Sequence, residues 1–530
     1  MKHAWKKLAA GVGALAITAA LAGPAAAESV IRIGNVGEPE SLDPHKVAGT
    51  WENRIVGEMF MGLTTEDIEA NAVPGAAESW EISDDGKVYT FKIRDHNWSD
   101  GTPVTAHDFV FAFQRILSPE MAAKYAWLLY PIAGAQDYNS GTNADPSTIG
   151  AKALDDKTLE ITLANATPYF LDQLTHYTGY PVPKHKVEEL VDDWVKPGNI
   201  IGNGAYTVVE WTPNAQIVSV KDPTFYDAEN VSIDKIIYYP DEDRNSLLKR
   251  FRADEIDYAA DFASEQIDWL RENLPEEAKI SPYLGIYYYP VNLAKGPTAD
   301  KNVRQALSMA INREVITDKV LKTGEVPAYS FVPPGTSNYG EPSYVTWQDT
   351  PYEERVEQAK ALMAESGYGP DNPVQIELKY NTSENHKKVA IAVAAMWKQL
   401  GVETTLFNSE VKVHYNSLEE NDFQVARAGW IADYNDAENF LSLLATATGK
   451  QNYGRFSNAE FDALMVEAAA TTDLEARAKL LRQAEAIAMA ETATIPIYYY
   501  VSKNLVSQKL AGWVPNTKDI HRVRYMSIKE

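Results

Sequence analysis

The sequence predicts a mixed α/β protein in which one domain is discontinuous and two lobes meet at a hinge. Three observations carry this expectation. Strand-type alternation and helix-type spacing are interleaved along the whole chain, without repeats, low-complexity tracts or a linker. Strand-rich blocks lie at both ends and in the middle, so two crossings between lobes would create a hinge able to close around a ligand. No cysteine occurs in 530 residues, so an exported chain of this kind relies on a large core instead of disulfides.

The N-terminus reads as a secretory leader. Lys2, Lys6 and Lys7 precede an uncharged apolar run from Leu8 to Leu21, and Pro24 with Ala25-Ala26-Ala27 forms an A-x-A site that predicts cleavage before Glu28. The run is short for a membrane span, which needs about 20 residues, although an uncleaved anchor is the alternative reading. The missing lipid-attachment cysteine favours a free protein in a Gram-negative periplasm.

Ile31 and Ile33 open a strand, and Gly37-Glu38-Pro39-Glu40 turns the chain. Trp80 and Ile82, the turn Asp84-Asp85-Gly86, and the alternating Tyr89, Phe91 and Ile93 predict a β-hairpin. Thr105 to Leu117 has helical spacing, with Phe109, Phe113 and Ile116 on one side. A second β-rich block spans Asn203 to Tyr239. Val389, Val393, Met396 and Leu400 recur at helical spacing behind an N-cap at Ser383, while Ser457-x-x-Glu460 and Thr472-x-x-Glu475 predict two capping boxes. The run from Ile495 to Val501 is β-type.

The formal charge is −25, and loss of the leader's three lysines makes it −28. Such a surface repels nucleic acid and anionic lipid, and serves solubility. No phosphate-binding G-x-x-x-x-G-K-[ST] loop, H-E-x-x-H helix or G-x-S-x-G elbow occurs, and the nine histidines do not cluster at metal-ligand spacing. No enzyme, cofactor or metal is expected. A paired-carboxylate hydrolase stays open as the main rival, since 74 acids supply many pairs.

Several segments together are distinctive: Gly37-Glu38-Pro39-Glu40-Ser41-Leu42-Asp43-Pro44-His45, Val73-Pro74-Gly75-Ala76-Ala77-Glu78-Ser79-Trp80 and Trp98-Ser99-Asp100-Gly101-Thr102-Pro103. With Tyr380-Asn381-Thr382-Ser383, Ala426-Arg427-Ala428-Gly429-Trp430, Ala432-Asp433-Tyr434-Asn435 and Ile497-Tyr498-Tyr499-Tyr500-Val501, the chain resembles the oligopeptide-binding branch of the peptide/nickel ABC-importer solute-binding family. The resemblance implies a two-lobed, three-domain periplasmic-binding-protein fold of type II, cluster C. It divides the chain into a leader (1–27), domain I (28–60, 184–284 and 502–530), domain II (61–183) and domain III (285–501). It also implies a monomer that encloses a short peptide, of about two to five residues held by strand-like backbone bonds, and passes it to an inner-membrane permease with separate ATPase subunits. The same fold binding a dipeptide, opine, sugar, haem or metal chelate is the alternative.

A receptor for peptides of any sequence must hold what all share: an amine, a carboxylate and the backbone between them. The segment from Phe423 to Asp433 suits that task. Phe423, Val425 and Arg427 alternate onto one strand face, putting a guanidinium where an apolar residue is expected. The strand breaks at Gly429, and Asp433 follows in a loop. Six residues span at most about 20 Å, a range that fits a short zwitterion. Taken alone, the residues favour two separate structural ion pairs; the resemblance instead pairs Asp433 with the peptide amine and sets Arg427 near its carboxylate. It further assigns His386 to longer peptides' carboxylates, Trp430 and Tyr434 to the cleft walls, and Thr50, Tyr125, Tyr288, Gly429 and Tyr500 to the pocket. A solvent-facing His386 and a core-filling Trp430 are the structural alternatives. Ala48, Pro290, Ser308, Val411 and Leu418 depart from the family's pocket residues, so the length filter and pocket polarity are expected to differ.

Overall fold

A computed structural model describes residues 28–529; the expected secretory leader and its cleavage site lie outside them. The strand Val30–Asn35 pairs in parallel with Lys235–Pro240 and Tyr258–Ala259, and its Ile31 and Ile33 are fully buried. Parallel neighbours need a crossover, and the helix Arg244–Arg252 lies in the connection between the two partners. Gln216–Lys221 and Tyr206–Thr212 extend the same sheet on one side. On the other side it continues through Thr494–Val506 and Ala278–Pro290 to Ala428–Ile431, with Val326–Pro327 also pairing to Thr494–Val506.

Those two long strands join two cores. Ala278–Pro282 pairs with Val501–Leu505, the register shifts between Pro282 and Ile286, and Ile286–Pro290 then pairs with Thr494–Tyr499. Beside the first half, Leu247, Ile256, Phe262 and Leu505 form one apolar cluster. Around the second half, Tyr287, Tyr289, Val303 and Ile495 belong to another. The irregular stretch around Tyr283 to Gly285 is where the two strands pass from one lobe to the next.

The hairpin forms as the alternation requires. Ala77–Ile82 and Val88–Ile93 belong to a four-stranded antiparallel sheet with Thr158–Thr162 and Ala151–Asp155, and Tyr89, Phe91 and Ile93 are buried. The helix Ala106–Leu117 covers that sheet, its Phe109 and Phe113 fully buried. In the second lobe Val374–Asn381 lies between Val402–Ser409 and Val425–Ala426 in a parallel sheet. Glu384–Trp397 packs on it through Val389 and Val393, and Leu400 follows in a 3₁₀ turn.

Neither expected capping box forms; a simple cap one residue later replaces each. The helix Ala459–Ala470 is capped by Asn458, whose side chain accepts from the backbone N–H groups of Glu460 and Phe461. Leu474–Ala490 is capped by Asp473, which accepts from Ala476. Asn and Asp cap at least as well as the preceding Ser457 and Thr472, so the helix starts at the later cap.

Candidate functional site

Between the lobes lies a cavity of about 650 Å³, within the range of small-ligand sites. Thr50, Tyr125, His386, Arg427, Gly429, Trp430, Asp433 and Tyr500 all face it. The chain reaches it by changing sheets. Val425–Ala426 belongs to the three-stranded sheet and Ala428–Ile431 to the nine-stranded one, so the break falls at Arg427, not at Gly429. The continuous face expected for Phe423, Val425 and Arg427 is therefore interrupted: Phe423 and Val425 stay in the core, and the guanidinium turns to the cavity.

Arg427 is only 8% exposed, yet among the described residues no carboxylate pairs with it. Nη1 donates to Asn381 Oδ1 (3.1 Å) and the Tyr415 hydroxyl (3.2 Å), and Nη2 donates to the Tyr500 hydroxyl (2.6 Å). The guanidinium also sits 5.1 Å from the Tyr287 ring centroid, a cation–π distance. Its Nε is buried without a partner. Burial opposes the charge, the hydroxyls of Tyr500, Tyr415 and Tyr287 favour it, and the balance lies above the ordinary arginine pKa. Gly429 makes this packing possible, because a Cβ there would lie 2.5 Å from the Tyr500 hydroxyl and 2.8 Å from Arg427 Nη2.

Asp433 lies beyond the end of the Ala428–Ile431 strand. Its Oδ1 is 3.3 Å from His176 Nε2, on the opposite lobe, and its side chain is 12% exposed. His176 Nδ1 accepts from the Thr178 backbone N–H, which assigns the Nε2 proton to the side facing the carboxylate. Asn439 Nδ2 approaches Asp433 Oδ2 at 3.4 Å, and Asn439 Oδ1 accepts from both Asp433 N–H and Trp430 Nε1. One buried amide thus fixes the acid and the indole together. Trp430 stacks on Tyr125 across the lobe boundary, with centroids 6.0 Å apart, so it is both packed and cavity-facing. His386, in the first turn of its helix, faces the cavity with its Nδ1 buried and unpartnered. Burial, with Arg427 and Arg244 nearby, pushes its pKa well below the ordinary value.

Two expected wall residues lie elsewhere. Tyr434 stacks on Tyr169 at 4.7 Å and 6° and donates its hydroxyl to Glu438; following the turn at Asp433, it packs between the lobes, off the cavity wall. Tyr288 stands edge-on to Phe331 in the opposite core cluster from Tyr287 and Tyr289. That strand is buried on both faces, so alternation there separates two cores and not core from pocket. Of the departures, Ala48 and Val411 line the cavity. Pro290 and Leu418 are core, and the Ser308 hydroxyl accepts from Arg313. Sequence reasoning missed His176, Tyr415 and Asn439, together with the cavity-lining Arg244 and Lys503. Nothing in their local patterns marks them.

Residues 71–452 match the model of the bacterial extracellular solute-binding proteins, family 5. The chain belongs to this family. It is 40% identical over 517 residues to the periplasmic oligopeptide-binding protein OppA of Salmonella typhimurium, covering 96% of this chain and 94% of that protein. The Haemophilus influenzae OppA complex with RPPGFSPFR aligns over 95% of this chain and 99% of that one, at 37% identity and a TM-score of 0.92. The unliganded open form of MppA, a periplasmic murein tripeptide binding protein, is 38% identical, covers 95% and 98%, and reaches only 0.68. The family 5 chain described here therefore has the two-lobed fold with its lobes together. Contacts across the boundary agree: Ser264 donates to Asn385, Lys388 pairs with Glu265 at 2.6 Å, and Lys412 with Glu40 at 3.0 Å.

Proposed function

We propose that this family member captures short peptides in the interlobe cavity, outside the cytoplasmic membrane, and hands them to an ABC permease whose ATPase is a separate chain. One observation carries the reading: a carboxylate, Asp433, and an acid-free guanidinium, Arg427, face one cavity from the same short stretch of chain. Opposite fixed charges facing one cavity suit a zwitterion with a neutral backbone between its ends. The similarity to proteins named as oligopeptide-binding, one of them in complex with RPPGFSPFR, supports peptide as cargo and allows chains longer than a few residues. Among the described residues no helix is long and apolar enough to cross a membrane. The protein binds as a monomer and catalyses nothing. We infer the division into domain I (28–60, 184–284, 502–530), domain II (61–183) and domain III (285–501); passage of the two long strands between the cores supports the boundaries near 284 and 501.

Gentle purification followed by denaturing mass spectrometry should release peptides. Calorimetry should then show binding of a tripeptide and much weaker binding of its N-acetylated form. Equal affinity for both forms would overturn the amine role of Asp433. A different solute in the mass spectrum, or cleavage products on incubation, would move the assignment to another cargo or to a hydrolase.

A further inference from the structure

Two cavity-facing cations that the Arg427 reading does not use keep free hydrogen-bonding capacity. Lys503 lies on the Thr494–Val506 strand, in the half paired with Ala278–Pro282. Its side chain is 10% exposed and faces the cavity, with Nζ 3.8 Å from Asp261 Oδ1 and 3.6 Å from Glu325 Oε1. Among the described residues that ammonium makes no hydrogen bond, so three donors on a buried charge are unused. Arg244 also faces the cavity; its Nε donates to Asp261 Oδ2 (3.2 Å) and its Nη1 to the Glu242 carbonyl (2.5 Å), leaving Nη2 free. Arg427, by contrast, already spends three donors on Asn381, Tyr415 and Tyr500.

Three cations lie around His386. Arg427, Arg244 and Lys503 all act on its ring, whereas the acids paired with them are Asp261, on Arg244 and Lys503, and Glu325, on Lys503. Glu242, also at the cavity, is pushed toward its neutral form by burial and by Glu410 from the other lobe. Lys503 and Arg244 therefore keep unused donors at the cavity, which a carboxylate of the ligand can take up.

We propose that Lys503 and Arg244 form a second carboxylate station, on the opposite lobe from Arg427, which selects ligands by an acidic group at this end of the cavity. The inference rests on the peptide reading and deepens it. The carboxylate has two possible sources, the peptide's C-terminus or an acidic side chain. A ligand group held there from one lobe while Arg427 and His386 approach from the other would also favour closure, because only the closed form offers both sets of donors.

The test is calorimetry on wild type, Lys503→Met and Lys503→Arg with four tripeptides, each ending in Glu or Gln and carrying a free or amidated C-terminus. Wild type should bind at least one acid-bearing member tenfold or more tightly than the neutral one. Lys503→Met should lose that preference, and Lys503→Arg should keep it. Loss on amidation names the C-terminus as the source, and loss on Glu-to-Gln exchange names the side chain. Because Lys503→Met leaves buried Glu325 without a cation, Lys503→Met combined with Glu325→Gln provides a charge-balanced second variant. If Lys503→Met and the paired variant retain the wild-type preference, or weaken all four peptides equally, the station is refuted. Binding of no peptide by wild type would instead refute the peptide reading, and the station with it.

Discussion

Replacing Asp433 by Asn tests the site at its centre. The carboxylate is mostly buried and has only long contacts, 3.3 Å to His176 and 3.4 Å to Asn439, so it keeps acceptor capacity for an ammonium group. Asn matches its size and keeps one acceptor oxygen, which preserves packing while removing the charge. Charge-assisted hydrogen bonds contribute roughly 1.5–3 kcal/mol each, and breaking one side of a buried pair costs about 3–5 kcal/mol. With the retained carbonyl, the lower end applies: about 3 kcal/mol, on the order of a hundredfold in affinity. Calorimetry with a free-amine tripeptide and its N-acetylated form would measure this as a cycle. Wild type should discriminate by about that factor, and the variant should compress the difference to a few-fold. Free-amine affinity within twofold of wild type would refute the argument, provided the melting temperature shows an intact fold.

Gly429→Ala should weaken peptide binding tenfold or more and destabilise by about 1–3 kcal/mol, because its Cβ would displace the Tyr500 hydroxyl from Arg427; calorimetry and a denaturant melt check both effects. Glu485 accepts from the backbone N–H groups of Phe331, Val332 and Ser343 and from the Tyr339 hydroxyl, but burial outweighs these bonds and raises its pKa to about 7. A carboxyl with a raised folded pKa contributes full stability below about pH 4.5 and loses it as pH rises through about 7, at most about 3 kcal/mol here; Glu485→Gln should flatten that slope in denaturation curves at pH 5 and 8. Glu40→Gln breaks a half-exposed cross-lobe pair with Lys412 and a longer pair with Lys124, so affinity should change by under about 1 kcal/mol and depend less on salt.

What could be read from the chain depended on how local the decisive physics was. The hairpin at Trp80 to Ile93 and the helix at Thr105 to Leu117 each meet one core on one face, so their periodicity was enough. Arg427 and Asp433 stood out because charges in an apolar stretch conflict with burial unless something answers them. Aromatic runs gave no such signal. Tyr287, Tyr288 and Tyr289 are all buried because their strand lies between two cores, and Tyr434 is turned to the interface by one residue of backbone after Asp433. Ser457 beside Asn458 and Thr472 beside Asp473 are competing caps of similar strength, which a sequence cannot rank to the residue. His176, Arg244 and Lys503 reach the site from segments far apart in the chain, so nothing short of the assembled lobes could reveal them.

The His176–Asp433 contact bears on how selectivity arises. Trp430 on Tyr125, Asn385 with Ser264 and Lys412 with Glu40 all cross the lobe boundary without involving a ligand, so closure has favourable terms of its own. A receptor that closed equally well with any occupant would not discriminate; ligand shifts the balance only by what it adds to the closed form. At Asp433 that addition is a difference: His176 already offers one N–H at 3.3 Å, and an ammonium improves on it with three donors. A neutral amide or alcohol offers little more than His176 does. Rejection of ligands without an amine therefore follows from the histidine as much as from the acid.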